Sequence, residues 1–241
     1  MEHNRRVIMA TLGALVARPA AGTAVGTGTA KPSSEPEQYS LPPLPYPANA
    51  LEPQLSKEII TLHHDKHHKA YVDGLNKALA ALASAESMEP PAVQAQLRAV
   101  AFNGAGHILH TLYFAGLGKD GGEPPGGLRD AVERDFGSVP GMLAQLKAAV
   151  ATAPGSGWGI LAWEPFGKRL IALQLAKHED QMFIGAVPIL ALDAWEHAYY
   201  LQYQNRKPEY LDAVIKVIDW KEIGRRFDLA RAMSSPGMTS K

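Results

Sequence analysis

The hydrophobic positions change period along the chain, and the change divides it. From Gln54 to about Ser84, Leu55, Ile59, Ile60, Leu62 and Leu75 recur at helical spacing, in a stripe that also takes in His63, His67, Ala70 and Tyr71. On that helix His63, His67 and Tyr71 follow one another at i+4 and share a face. His64 and His68 point a quarter turn away and are expected on a solvated face, whereas His63, beside Ile59 and Leu62, is expected to be buried. Ser87 to Pro91 breaks the pattern, and a second long helix is predicted from about Val93 to Gly116. Its Asn103-Gly104-Ala105-Gly106 stretch weakens the helix and fits a place where another backbone packs closely, so the two helices should form an antiparallel hairpin.

Gly118 to Gly127 is the strongest punctuation after the first helices. Beyond it two short helices are predicted, near Gly126 to Phe136 and Val139 to Ala151. The period then shortens to that of strands at Ser156 to Trp163, Arg169 to Leu175 and Val187 to Asp193, with a turn at Pro165 to Lys168. Pro208 opens a further helix, and Tyr210 to about Ala230 reads as continuously helical. The fold class is therefore α+β: an N-terminal helical hairpin domain (39–122), then a C-terminal domain (123–232) with a small three-stranded antiparallel sheet and surrounding helices, and a polar tail (233–241).

Residues 1–38 have another character. The pair Arg5-Arg6 precedes a weakly apolar run from Val7 to Ala17 and a tract of small residues, a pattern similar to a twin-arginine export signal. An exported protein is expected, with a cytoplasmic one as the alternative. A proline-rich stretch from Tyr39 to Pro53 should be extended. Lys plus Arg and Asp plus Glu balance at 24 each, so no overall field draws the 241-residue chain to nucleic acid or a membrane surface.

The chain has no cysteine, which excludes disulfides and thiolate metal sites, yet eight of its nine histidines lie between His63 and His197. Asp193-Ala194-Trp195-Glu196-His197 brings a carboxylate and an imidazole to i and i+4, where they can hold one metal ion if the segment is helical or nearly so. The plainer reading is a helix-capping Asp193 and an interior His197. His63 and His110 face each other across the expected hairpin and offer two more nitrogens. Nitrogen and oxygen donors of this kind suit iron, manganese or zinc.

These motifs resemble the iron and manganese superoxide dismutases. The resemblance runs from Leu44-Pro45-Tyr46 through Leu62-His63-His64-Asp65-Lys66-His67-His68 with Tyr71, and Asn103-Gly104 to His110, to Asp193 through Tyr200. It implies that His63, His110, Asp193 and His197 bind one iron or manganese ion per subunit. It also implies that His67 and Tyr71 line the entrance for superoxide, and that Trp158 and Trp195 wall the pocket. Glu196 would reach His197 of the partner subunit and Tyr200 would meet His67 of the partner subunit, making a homodimer, or a tetramer built from it. Members of the family commonly set a glutamine beside the metal-bound solvent; here one such position is Gly106, which leaves His178, with Gln181 as the alternative. Proton relay falls to Tyr71 and His178, with His67 in support, and Lys66, Arg206 and Lys207 are candidates for a local positive funnel. Two other readings stay open at this point, a non-haem iron oxygenase and a metal-binding dimer without turnover.

Overall fold

A computed structural model describes residues 37–233; the expected leader, up to residue 36, and the tail after Met233 lie outside them. Ser56 Oγ accepts a hydrogen bond from the Ile59 N–H at 3.3 Å and starts a helical rod in three consecutive pieces. These are α1 (Lys57–Leu62), a π-helical turn (His63–His68) and α2 (Lys69–Leu82). A short 3₁₀ turn (Ala85–Ser87) leads to the return helix α3 (Pro90–Ala115), which begins earlier than expected because proline at its first positions needs no N–H partner.

The π turn corrects one expectation. In a π-helix the i+5 residue, not i+4, stacks under residue i, so a wheel drawn at constant 3.6 residues per turn misplaces this segment. His64 and His68 are buried, with 6% and 1% of their surface exposed, while Asp65, Lys66 and His67 form the exposed lip. His63 is fully buried, as the neighbouring Ile59 requires.

Helices α2 and α3 pack at the glycines. A Cβ on Gly106 would lie 2.8 Å from Tyr71 Cδ1, and one on Gly74 2.5 Å from Asn103 Oδ1, so each glycine admits a side chain of the opposite helix.

The second half runs α4 (Gly126–Phe136), α5 (Val139–Ala151), β1 (Trp158–Glu164), β2 (Arg169–Leu175) and β3 (Val187–Asp193). The strands form one antiparallel sheet in the order β2-β1-β3, with β1 buried along its whole length. Trp158, at the start of β1, pairs with Leu175 on one side and Asp193 on the other. Helices α4 and α5 pack on β2, and α5 on β1 as well. A 3₁₀ turn (Glu196–Ala198), α6 (Tyr200–Tyr203), α7 (Lys207–Ile215) and α8 (Trp220–Met233) complete the chain.

The single helix expected from Tyr210 to Ala230 is broken in two. At the break Gly118 N–H donates to Val217 O (2.7 Å) and Asp219 N–H donates to Gly116 O (2.9 Å), a short antiparallel bridge between the exit of α3 and the chain between α7 and α8. Asp219 then caps α8 by accepting the Glu222 N–H at 3.1 Å. A tertiary backbone pairing outweighs the local helical pattern. No helix among the described residues is long and apolar enough to cross a membrane.

Gly159, in the central strand, faces α5 so closely that a Cβ would lie 2.6 Å from Val150 Cγ2 and 3.0 Å from the Leu146 carbonyl oxygen. Gly159→Ala should destabilise the protein by about 1–3 kcal/mol, the usual scale of overpacking. At about 2–4 °C per kcal/mol that is a clear loss in a thermal unfolding scan; an unchanged midpoint would contradict the packing.

Candidate metal centre

Four elements each deliver one side chain to a single point. His63 opens the π turn, His110 lies on α3, Asp193 ends β3 and His197 sits in the 3₁₀ turn just beyond. Asp193 and His197 thus meet across a strand end and an irregular turn rather than along one helix; Trp195, between them, is extended with ψ of 143°.

Their ligand atoms all lie within 4.8 Å of one another. Asp193 Oδ2 is 3.1 Å from His63 Nε2, 3.3 Å from His197 Nε2 and 3.7 Å from His110 Nε2, and the last two nitrogens are 3.4 Å apart. Atoms that each stand about 2.0–2.2 Å from a common ion are separated by such distances. His63 supplies the sharper test of fit. Its Nε2 approaches Asp193 without the alignment of a hydrogen bond, and its Nδ1 has no partner, so a fully buried imidazole has no hydrogen-bond partner among the described residues. A cation at the shared centre would give Nε2 its partner.

The surroundings fix how each ligand faces. His110 Nδ1–H donates to the Gly106 carbonyl at 2.7 Å, which leaves the Nε2 lone pair directed at the centre. Asp193 Oδ1 accepts the Trp195 N–H at 2.8 Å, so Oδ2 is the free oxygen. Tyr210 O–H donates to the Asp193 carbonyl at 2.9 Å and lies 3.3 Å from Tyr113 Oη, tying the strand end to α7 and α3. The sequence reading missed this tyrosine pair and the packing of Phe114 on His63 (4.9 Å between ring centroids). Only the i+3 spacing of Tyr113 from His110 hinted at it.

Beside the ligands sits His178, with 1% of its surface exposed. Trp158 Nε1–H donates to its Nδ1 at 3.0 Å, so neutral His178 must carry its proton on Nε2, a buried atom with no partner among the described residues. Tyr71 meets His178 edge-on at 4.6 Å, Trp195 stacks on it at 4.6 Å, and Phe102 closes the side at 4.8 Å. Gln181, the alternative partner, is exposed, with φ of 72°. His67, on the outer lip, stacks on His197 at 4.3 Å.

Burial sets the charge states. It lowers His63 and His178 to about 4 and His110 well below the ordinary imidazole value. Burial alone would raise the Asp193 carboxyl, but His197 and His63 hold it far below the usual carboxylate range. Burial, with the Asp193 charge adding to it, raises Tyr71 above its ordinary value, which keeps the phenol protonated. The neutral imidazoles of His63 and His110 beside the ionised Asp193 carboxylate are donors of the kind a divalent or trivalent cation takes.

Fold and site together define a candidate mononuclear metal centre of three histidines and one aspartate, held between a helical hairpin and a small sheet with its surrounding helices. The profile of the alpha-hairpin domain of the iron/manganese superoxide dismutases matches residues 38–118, and that of their C-terminal domain matches residues 124–226. The chain belongs to the iron/manganese superoxide dismutase family. It is 44% identical over 197 residues to a protein named superoxide dismutase [Mn/Fe] of Propionibacterium freudenreichii subsp. shermanii, covering 80% of this chain and 98% of that one. It is 40% identical over 194 residues to a superoxide dismutase [Fe] of Methanothermobacter marburgensis (79% and 96% covered). With superoxide dismutase [Mn] 2 of Halobacterium salinarum the identity is 42% over 193 residues (79% and 96%).

The metal-free protein should lose stability in mild acid. The folded values of His63 and His178, about 4, lie below the roughly 6.5 of an unfolded chain, so between these pH values the unfolded state binds more protons. Stability is complete above about pH 6.5 and falls as the pH drops towards 4. Chelated protein followed by urea unfolding at pH 7.5 and pH 5 should show a markedly lower midpoint at pH 5; equal midpoints would contradict the buried neutral state.

Proposed function

We propose that this protein is a superoxide dismutase in which His63, His110, Asp193 and His197 hold one iron or manganese ion. The observation that carries the reading is the mutual approach of those four ligand atoms around a His63 ring otherwise without a partner. Such an ion supplies one-electron cycling between two oxidation states, so that one superoxide leaves as dioxygen and a second, with two protons, leaves as hydrogen peroxide.

The chain's own groups orient substrate and move protons. His178 Nε2–H is a fixed donor aimed into the buried space, its tautomer set by Trp158. The protonated phenol of Tyr71 lies against both His178 and His110. These two groups are placed to hydrogen-bond the reacting oxygens and to relay protons that solvent supplies, and His67 stands outside them at the lip. Trp158, Trp195 and Phe102 keep the space small and apolar, which suits a diatomic anion and excludes bulkier reductants. Lys66 on the exposed lip is the cation best placed to draw an anion in. Arg206 is already paired with Glu209 at 3.1 Å, and Lys207 lies over the Tyr199 ring at 5.7 Å.

Four protein donors also weigh against an oxygenase, which leaves neighbouring positions open for a co-substrate. A binding protein without turnover is separated from an enzyme by assay. Iron-loaded or manganese-loaded protein should accelerate superoxide decay, and His178→Ala should lose about 10²-fold or more in kcat with its metal retained. Loaded wild-type protein without activity would overturn the enzyme, and an unimpaired H178A variant would remove His178 from proton delivery.

The same reading includes assembly and export. Exposed Glu196 and Tyr200 flank His197, and exposed His67 covers it, so the metal ligand lies at a surface that a second subunit can complete. The Arg5-Arg6 segment would direct the chain out of the cytoplasm. Native mass spectrometry of protein taken from its own cells tests both: a dimer or tetramer lacking the leader is expected. A monomer would overturn the first and an intact cytoplasmic chain the second.

A further inference from the structure

Arg226, on α8, is fully buried, yet it belongs to none of the groups described above. Its Nε–H donates to Glu222 Oε1 at 3.0 Å, and Glu222, only 5% exposed, also takes two bonds of 2.7 Å from Arg225. The other end of the guanidinium leaves α8 altogether. Nη1 donates to the Leu112 carbonyl on α3 at 3.0 Å and to the Ile189 carbonyl on β3 at 3.1 Å. One nitrogen therefore joins two elements from opposite halves of the chain, and each carries a metal-centre residue: His110 lies two residues before Leu112, and Asp193 four residues after Ile189.

The Ile189 contact is specific. Along the β1–β3 ladder Leu161 pairs with Leu190, but the next residue, Ala162, pairs with Pro188, so Ile189 is the extra residue of a bulge. Bulges shift the phase of everything beyond them and leave backbone groups without ladder partners. Here the orphaned carbonyl of the bulge is satisfied by a buried cation. Beyond the bulge the ladder runs unbroken to Trp158 opposite Asp193. The phase of β3, and with it the direction of the Asp193 carboxylate, follows from where the bulge sits. Leu112 O accepts the Gly116 N–H at 2.9 Å as well, so Arg226 adds a second donor in the last turn of α3 rather than replacing the helical one.

We infer that Arg226 is a positioning residue for the metal centre: by holding the β3 bulge and the end of α3 on one guanidinium, it fixes the spacing between Asp193 and His110. The alternative is a buried ion pair that supports only the overall fold. The inference rests on the metal-binding reading above, and the test separates the two.

Three variants are compared with wild type, each loaded with manganese and checked for folding by circular dichroism. R226M removes all three bonds while Glu222 keeps Arg225, so no carboxylate is stranded. R226K keeps the charge on a single nitrogen, which cannot reproduce the spread of the guanidinium. R225Q weakens the same Glu222 cluster from outside without touching either carbonyl. The readouts are the ligand-field absorption and electron paramagnetic resonance of the bound metal, and its rate of release to a chelator. R226M should release metal about 10- to 100-fold faster, the usual effect of losing a group that orients ligands, with an altered spectrum. R226K should fall between R226M and wild type, and R225Q should lower the unfolding temperature with the wild-type spectrum retained.

A wild-type spectrum and release rate in folded R226M would overturn the inference. So would R225Q disturbing the metal signal as much as R226M does. If R226M does not fold, R226K carries the test, and a signal identical to wild type overturns it. Wild-type protein that binds no metal would instead be a failure of the metal-centre reading.

Discussion

A carboxylate with no access to water is the constraint around which this molecule is arranged. Asp193 is fully buried, and an ionised carboxylate in such a place is tolerated only with charge and hydrogen bonds provided for it. The protein gives Oδ1 a backbone N–H from Trp195 and gives Oδ2 three imidazoles. Two of those imidazoles, His63 and His110, are themselves kept neutral by burial, so they contribute lone pairs and dipoles more than charge. The site is then complete only with a cation. A site of this kind couples folding to metal binding wherever it takes an ion, because burial of its donors is unfavourable without one.

Converging four donors at one point demands that elements distant in sequence be registered to a fraction of a residue, and the fold does this with irregularities. The π turn at His63–His68 adds a residue to the turn, so that His63 and His68 both face inwards and His67 stays at the lip. The bulge at Ile189 resets the phase of β3 ahead of Asp193. The 3₁₀ turn after β3 folds His197 back over the carboxylate within four residues. Each departure from regular structure lies on an element that carries a ligand, which is where local rules should yield to a site.

The same reasoning explains what could be read from the sequence. The short helices Gly126–Phe136 and Val139–Ala151 and the strands Arg169–Leu175 and Val187–Asp193 were legible to the residue, because proline, glycine and a capping Ser138 mark their ends chemically. The four residues that meet were legible less from any one spacing, since Asp193 and His197 alone read more simply as a cap and an interior histidine, than from the grouping of eight histidines between His63 and His197 and the family resemblance of their motifs. What was hidden is whatever depends on a distant partner. His64 reads as solvated on a regular wheel, yet its Nε2 meets the Pro42 carbonyl at 2.8 Å, and His68 Nε2 lies 2.9 Å from His107 Nδ1 on the facing helix. The break after Ile215 depends on the chain pairing with Gly116 and Gly118, about a hundred residues earlier. Trp158 was read as a wall of the pocket, and its indole N–H setting the His178 tautomer depends on β1 and the loop after β2 being brought together.

That tautomer links the departure at Gly106 to the chemistry of the site. A side chain at position 106 would collide with the Tyr71 ring, so its absence is what lets Tyr71 lie against His110 and His178. The space left open on α3 is thus taken by a phenol from α2, and the polar contact is supplied from the other half of the chain by an imidazole. A histidine differs from an amide in this position because its donor nitrogen is chosen by its surroundings. Here Trp158 occupies Nδ1 and leaves only Nε2–H to donate. The one nitrogen from which His178 can donate is therefore set by β1, the same strand that pairs with the end of β3 carrying Asp193. The position of Asp193 and the tautomer of His178 share one scaffold, so a change that shifts β1 against β3 alters both together.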